Sequence, residues 1–425
     1  GGGQGGGEQA YAPGYPSQEY RRLPPGVLQP RDGTYVMQMT EELWETIYVD
    51  DVDLIAVDHP DSVDVFVDER FVPPGPTELR LREVGVRHRP VTAIDGEGRD
   101  HSAALAARDY AYVSSLRPGR FQGIAEPHEL VLDLGDVARA GDAVLYLTGW
   151  IFPTDASINV AMRQSDALTA EFPVLEVIDP AGSWQVAIED LSFPSGKDKT
   201  VVIDLSGKFP TSDRRVRIRT NLMIYWDDAF FTVVPSTSDG AVSERGDSER
   251  SGNSKPAGDP KPAGDPYVVT TLEPTDADFH YRGFSRGFRK GGRYGPHWFD
   301  YTAVTTEPRW SDLAGTYTRY GDVTELVQSG DDMYVVANAG DEITLTFNAA
   351  ALPPLSEGWA RTFLIYTDGW VKDGDLNTAT GNRVEPLPFR TQNRYPHGPD
   401  EAYPDDAAHR RYLEEYQTRV VRPKF

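Results

Sequence analysis

Five consecutive residues, Gly283-Phe284-Ser285-Arg286-Gly287, match the GxSxG pattern of a nucleophile elbow. Such an elbow needs a strand before the serine and a helix after it, to hold the hydroxyl on a strained turn. Here the flanks are rich in Arg and Gly and no helix follows, so a hydrolase ranks last among the readings. Asp373-Gly374-Asp375-Leu376-Asn377 sets oxygen ligands at alternate positions, as the start of a calcium loop does. Thr378 stands where an EF-hand needs glycine, so an Asx-turn loop competes with a calcium site at Asp373, Asp375 and Asn377. Asp50-Asp51-Val52-Asp53 and the pair Asp227-Asp228 read as solvated loop charges first and cation ligands second. His59, His128, His280 and His297 stand alone, without the HxH or HExxH spacing of a locally built transition-metal site. No residue is assigned a catalytic role.

Recognition chemistry is better represented. His280–Tyr301 interleaves Arg282, Arg286, Arg289, Lys290 and Arg293 with Tyr281, Phe284, Phe288, Tyr294, Trp298 and Phe299. Arg and aromatic side chains in alternation suit stacking and cation–π contact. The tract is the clearest basic island in a chain of net charge −24. Intramolecular docking of a loop is one reading of it; a contact surface for an acidic partner protein or glycan is the other. So acidic a chain lacks the footprint that nucleic acid needs, which excludes nucleic acid as the main partner. Trp370, on a polar excursion that follows a predicted strand at Thr362–Thr367, joins Arg282, Arg286, Arg289, Arg293 and Trp298 as a partner-binding candidate. Trp150, Trp184 and Trp226 could line a sugar platform, although tryptophans at such positions more often fill a core.

The elements that must position these residues are mostly strands. The 425 residues include 33 Pro, 40 Gly and 21 Tyr, a mixture suited to β-rich domains with many turns. With no cysteine, disulfides and thiolate metal sites are excluded. No apolar run reaches the roughly 20 residues of a membrane-spanning helix. The expected fold is mainly β: jelly-roll or β-sandwich-like domains with few short helices and a C-terminal helical tail. Residues 1–19 read as a flexible leader. Residues 20–127 read as a β-rich segment with one helix at Ser102–Leu116, capped by Ser102. Residues 128–235 carry short strand signals at regular spacing, among them Ile158–Met162, Val174–Ile178 and Trp184–Ile188, which suggests a jelly roll. Residues 236–266, ending in the tandem KPAGDP repeat, read as a disordered linker. Residues 267–425 read as a second β-rich domain. In it Asp322-Val323-Thr324-Glu325 forms a capping box, and a helix starts at Pro404-Asp405-Asp406.

Several blocks are similar to one known group. They include Pro30-Arg31-Asp32-Gly33-Thr34-Tyr35, Thr40–Glu45, Val57-Asp58-His59-Pro60 and Gly149–Val160. Phe193–Thr200, Arg217–Asp227 and Thr318–Val323 complete the set, with Arg361–Phe389. Together they resemble the C-terminal region of bacterial FG-GAP repeat proteins that carry the ASPIC/UnbV segment, the cartilage acidic protein-like group. The likeness spans roughly residues 19 to 419. The family's propeller with its calcium-loop repeats is absent from this chain, and so is the ASPIC/UnbV segment. The resemblance therefore implies export and no catalytic residues.

The expected role is a non-catalytic envelope accessory subunit or interaction module. Carbohydrate binding through the jelly roll is the alternative. Other envelope proteins are the expected partners, with a glycan as the second choice. The glycine-rich start would suit a lipoprotein tether, with membrane contact only through that anchor, or an expression linker. The expected location is periplasmic or extracellular.

Overall fold

The computed structural model describes residues 16–71, 79–165, 169–196, 198–234, 267–290, 297–375 and 380–422. The expected leader and the 236–266 linker lie outside the described residues, apart from positions 16–19. The fold is mainly β, as expected, with antiparallel sheets throughout. From the N-terminal part come β1 (Ser17–Arg22), β2 (Thr34–Thr40), β3 (Glu45–Pro60), β4 (Asp64–Val67) and β5 (Leu81–Val84). The middle contributes β6 (Thr92–Asp95), β7 (Ile124–Asp133), β8 (Asp142–Ile151), α1 (Ala156–Arg163), β9 (Val174–Ile178) and β10 (Trp184–Ile188). It continues with β11 (Lys199–Asp204), β12 (Arg215–Leu222) and β13 (Ile224–Val234). The C-terminal part holds β14 (Val268–Leu272), β15 (Asp276–Tyr281), β16 (Phe284–Arg289), β17 (His297–Thr305), β18 (Gly315–Tyr317) and β19 (Gly321–Asp322). After these come β20 (Val335–Ala337), β21 (Asp341–Asn348), β22 (Trp359–Asp373), α2 (Ala407–Glu415) and β23 (Arg419–Val421).

The middle strands build one sandwich from a sheet ordered β10-β9-β12-β7-β6 and a second ordered β11-β8-β13. From β7 onward the chain crosses between the sheets at every step but β9–β10, a hairpin within the larger sheet, and β6 likewise pairs with its successor β7. Inward residues such as Leu132, Leu145, Leu147, Val177, Ile203 and Ile218 are fully buried between them.

The second sandwich unites the two ends of the chain. Its central pair is β3 with β22, which runs from Trp359 opposite Pro60 to Asp373 opposite Glu45 with one register shift between Asp368 and Gly369. Around this pair one sheet runs β1-β22-β3-β14, with β20 also on β3; the other runs β19-β15-β21-β2. Val52, Leu54, Phe279, Leu345 and Phe347 fill the space between, and Tyr412 of α2 with the C-cap Tyr416 closes one side. Strand pairing thus divides residues 20–127: β1–β3 belong with the C-terminal strands, and β6 with the jelly roll. Phe66 on β4 packs against Tyr146 and Phe230 of the jelly roll. Glu69 ties the sandwiches together, accepting from the backbone N–H of Arg22 at 2.8 Å and of Thr200 at 2.7 Å.

Three local expectations are corrected. Ser102–Leu116 forms turns and extended chain, not a helix. Its backbone groups are taken by the jelly roll instead: Val113 N–H donates to Trp226, and the Leu105 carbonyl accepts from Ala229. Ile158–Met162 is not a strand but part of α1, whose N-cap Asp155 accepts the Ile158 N–H at 2.8 Å. The expected capping box does not form: the short 3-10 helix Thr324–Val327 has Val323 at its N-cap with no side-chain cap, and Asp322 accepts instead from the Thr324 N–H at 2.9 Å. The C-terminal helix forms with Asp406 as its cap.

Candidate interaction surface

The Arg- and aromatic-rich tract folds as a two-stranded ribbon, β16 against β17. Among the described residues no third strand joins it. Arg286 faces Asp300, with an ion pair at 2.7 Å, and Phe288 faces Trp298. The register slips at Ser285/Arg286, where Tyr301, Thr302 and Ala303 bulge outward. An isolated hairpin is marginal in water, so this one must be held at its base.

That base explains the GxSxG residues. Ser285 is fully buried, and its N–H donates to both oxygens of Glu42, at 3.1 and 2.9 Å. Its hydroxyl accepts from Arg282 at 2.9 Å and its carbonyl accepts from Arg309 at 2.6 Å. Arg282 also pairs with Glu342 at 2.9 Å and donates to the Tyr301 carbonyl at 2.7 Å. Gly283 has φ of +100° and lies against the Thr305 carbonyl, where a Cβ would collide. These are the demands of a crowded strand crossing. Ser285 sits on β16, whose strand continues to Arg289 and pairs with β17, not on a strand-to-helix elbow.

At the far end the ribbon leans on the flank of the jelly roll. Trp298 meets Tyr110 edge-on at 5.1 Å, and the Lys290 ammonium lies 4.2 Å from the Trp298 ring centre and 4.7 Å from that of Tyr110. Between these anchors the surface is open. Phe288 is 42% exposed, Tyr301 57% and Val304 42%, and the Arg286 side chain is 72% exposed. Leu43 and Trp310 are also exposed, and the Trp310 indole N–H donates to the Glu42 carbonyl, next to Leu43 in the chain.

The partner-binding candidates therefore separate. Arg286 and Arg289 are exposed on the ribbon, whereas Arg282 is used at its base and Trp298 at its docked end. Arg293 lies outside the described residues. Trp370 is not a surface contact: it is buried between Tyr48 and Tyr395, because alternation along β22 turns it inward with Asp368 and Lys372. Of the three jelly-roll tryptophans, Trp150 and Trp226 are buried, and the Arg217 guanidinium lies over Trp184 at 4.7 Å.

Beside Trp370, Lys372 is buried and donates to the Tyr395 hydroxyl at 2.7 Å and to the Val384 carbonyl at 3.4 Å. Burial lowers its ammonium to about 7, against the pull of Glu385. A lysine pKa depressed by folding costs stability wherever the unfolded chain is protonated. That cost is full below about pH 7 and fades toward the unfolded value of 10.5. Wild-type stability should thus gain a rising component between pH 7 and 9.5, and Lys372→Met should flatten it. Urea midpoints of both proteins at the two pH values check this; equal slopes would contradict it.

The calcium candidates fall at the junction of the sandwiches. Asp373 accepts the Ala156 N–H at 3.2 Å and Asp375 accepts the Ser157 hydroxyl at 2.9 Å, so both serve the first turn of α1. Asn377 lies outside the described residues. Among the described residues no three acidic or histidine side chains form a metal-holding group. Burial raises Asp373 to about 6, with Asp155 and Asp375 adding to it. Glu45, opposite Asp373, is also pushed up by burial and by its neighbour Glu41, and burial takes Glu41 itself to about 8. A carboxyl raised by folding stabilises the fold fully below its unfolded value, and that contribution is lost as pH rises through about 8. Glu41→Gln keeps an acceptor for the Leu43 N–H, which Glu41 accepts at 2.6 Å. It should raise stability at pH 8 by about 2 kcal/mol and leave pH 4.5 nearly unchanged. Denaturant titrations at the two pH values test this; a loss at pH 8 would contradict it.

The acidic clusters expected in solvated loops are instead inside strands. Asp50, Asp51 and Asp53 are buried in β3, and Asp227 and Asp228 in β13. Asp227 accepts the Tyr110 N–H at 2.9 Å, and Asp228 pairs with Arg89. His59 donates to or accepts from Thr362 at 2.9 Å, and His128 sits against the Leu222 carbonyl at 2.9 Å. No family model, curated protein or solved structure matches this chain, so the resemblance to the FG-GAP group rests on its motifs alone.

Proposed function

We propose that the protein is a non-catalytic interaction subunit of the bacterial envelope, which grips an acidic partner protein through the β16–β17 ribbon. One observation carries the reading: exposed Arg286, Phe288, Tyr301 and Val304 stand together on a two-stranded arm of a strongly acidic chain. Arg and Tyr are the residue types that dominate interface energetics, and an exposed apolar patch within a polar rim is what contact surfaces present. The ribbon's outer edges also offer backbone groups for addition of a partner strand. Export rests on the resemblance.

Gentle detergent extraction of the native envelope, followed by mass spectrometry of this chain and whatever stays with it, tests the role. A fixed-ratio partner with an acidic surface is the expected result. A chain that emerges alone would count against it. So would catalytic turnover by the purified chain that a single Asp, Glu or Ser substitution abolishes.

A further inference from the structure

At one end of the jelly roll a cleft of about 220 Å³ opens between the turn before β8 and the β11–β12 connection. Arg139, Arg214, Phe209, Leu205, Gly207 and Asp142 are among the residues that line it. Both arginines are held by their inner nitrogens. Arg139 Nε donates to the Ser212 carbonyl at 2.9 Å, and Arg214 Nε donates to the Ala138 carbonyl at 3.0 Å. Arg139 Nη1 pairs with the exposed Asp136 at 2.8 Å, and Arg214 Nη1 donates to the Thr211 carbonyl at 2.6 Å. The Arg214 guanidinium lies over Phe209 at 4.8 Å.

Two guanidiniums are thereby fixed toward one small space. Among the described residues, Nη2 of each makes no hydrogen bond. The carboxylate next to Arg214 in the chain, Asp213, is occupied by Arg215, which reaches both of its oxygens, at 3.0 and 2.7 Å. Burial and the neighbouring Arg139 charge lower the Arg214 pKa, the mark of a cation held where its charge is poorly compensated. A fold retains such a pair at a cost unless an anion offsets it, and Arg forks match carboxylate and sulfate oxygens. Asp142 supplies the opposite chemistry: it accepts, and so suits the hydroxyl groups of a ligand whose acidic group sits on the arginines. The cleft is the size of a single sugar ring, and leucine and phenylalanine carbon lies along its wall.

We infer that this cleft binds an acidic saccharide residue, its carboxylate or sulfate between Arg139 and Arg214 and its hydroxyls on Asp142. The chain's overall negative charge acts only weakly there, because exposed charges beyond about 8 Å are screened at physiological salt. The site is independent of the ribbon.

Calorimetric titration of the full chain with glucuronate, glucose 6-sulfate, glucose and inorganic sulfate tests the inference. Saturable binding of the two acidic sugars, with glucose silent and sulfate clearly weaker, is expected. Arg139→Gln, at an exposed side chain, should weaken the acidic sugars at least about tenfold. It should also leave the ligand-free melting temperature unchanged or higher, because it relieves repulsion. Asp142→Asn should narrow the gap between the sugars and sulfate. Three results would overturn the inference: no saturable binding, sulfate binding as well as the sugars, or Arg139→Gln melting lower while binding is unchanged.

Discussion

Arg390→Met should destabilise the protein by about 3–5 kcal/mol, the usual cost of removing one member of a buried ion cluster. A β-bulge lies behind this expectation. The β3–β22 register shifts between Asp368 and Gly369, so Asp50 has no partner across the ladder and turns aside. Arg390 reaches it there, and also pairs with Asp368 at 2.6 Å and Asp332 at 3.6 Å. Its backbone N–H donates to Asp332 at 3.0 Å, and Tyr334 donates to the same oxygen at 2.7 Å. Burial works against the Arg390 charge, but Asp368 and Asp50 outweigh it and hold the guanidinium firmly protonated. Methionine would fill the space and leave Asp368 and Asp50 without their cation. Burial already drives the Asp50 carboxyl toward its neutral form despite Arg390. Asp368→Asn should therefore recover more of the loss than Asp50→Asn when combined with Arg390→Met. Urea unfolding of the single and double variants measures this. A loss under about 1 kcal/mol would mean that the cluster relaxes or admits water.

The second large effect is on binding. Arg286→Glu with Tyr301→Ser changes two exposed side chains on the ribbon and takes from its base only the contact of the Arg282 guanidinium with the Tyr301 ring, at 5.9 Å. The Glu42–Ser285–Arg282 node below and the Lys290–Trp298–Tyr110 contact above remain. Two carboxylates would then face each other in place of the Arg286–Asp300 pair, but at so exposed a site the change costs only about 1 kcal/mol of stability. At an interface, by contrast, a reversed charge facing an acidic surface and a lost aromatic anchor together should weaken affinity by about 100-fold or more. Because the attraction is between charges, wild-type affinity should also fall with added salt.

The parts that were legible in the sequence are those decided locally. Val174–Ile178 and Trp184–Ile188 form strands over the expected spans, and Thr362–Thr367 lies inside β22. Asp406 caps α2 where a helix start is read, since capping needs only residues two or three apart. The aromatic and basic composition of the ribbon was visible for the same reason. Segments that answer to distant partners were not. The α1 residues alternate apolar and polar much as a strand does, and their first turn is served by Asp373, more than two hundred residues away. Asp50 read as a loop charge because its partner Arg390 is 340 residues along the chain. Trp370 sat in a polar neighbourhood, and only the pairing of β22 with β3 turns it inward. The ribbon's base was hidden likewise, since Glu42 and Ser285 meet across 243 residues.

The most direct test of the ribbon's role is the affinity of the co-isolated partner for the wild-type chain and for the Arg286→Glu, Tyr301→Ser variant, with both melting temperatures recorded. Affinity should collapse while the melting temperature holds. Equal affinity for the two proteins would contradict it and move the contact surface elsewhere on the molecule.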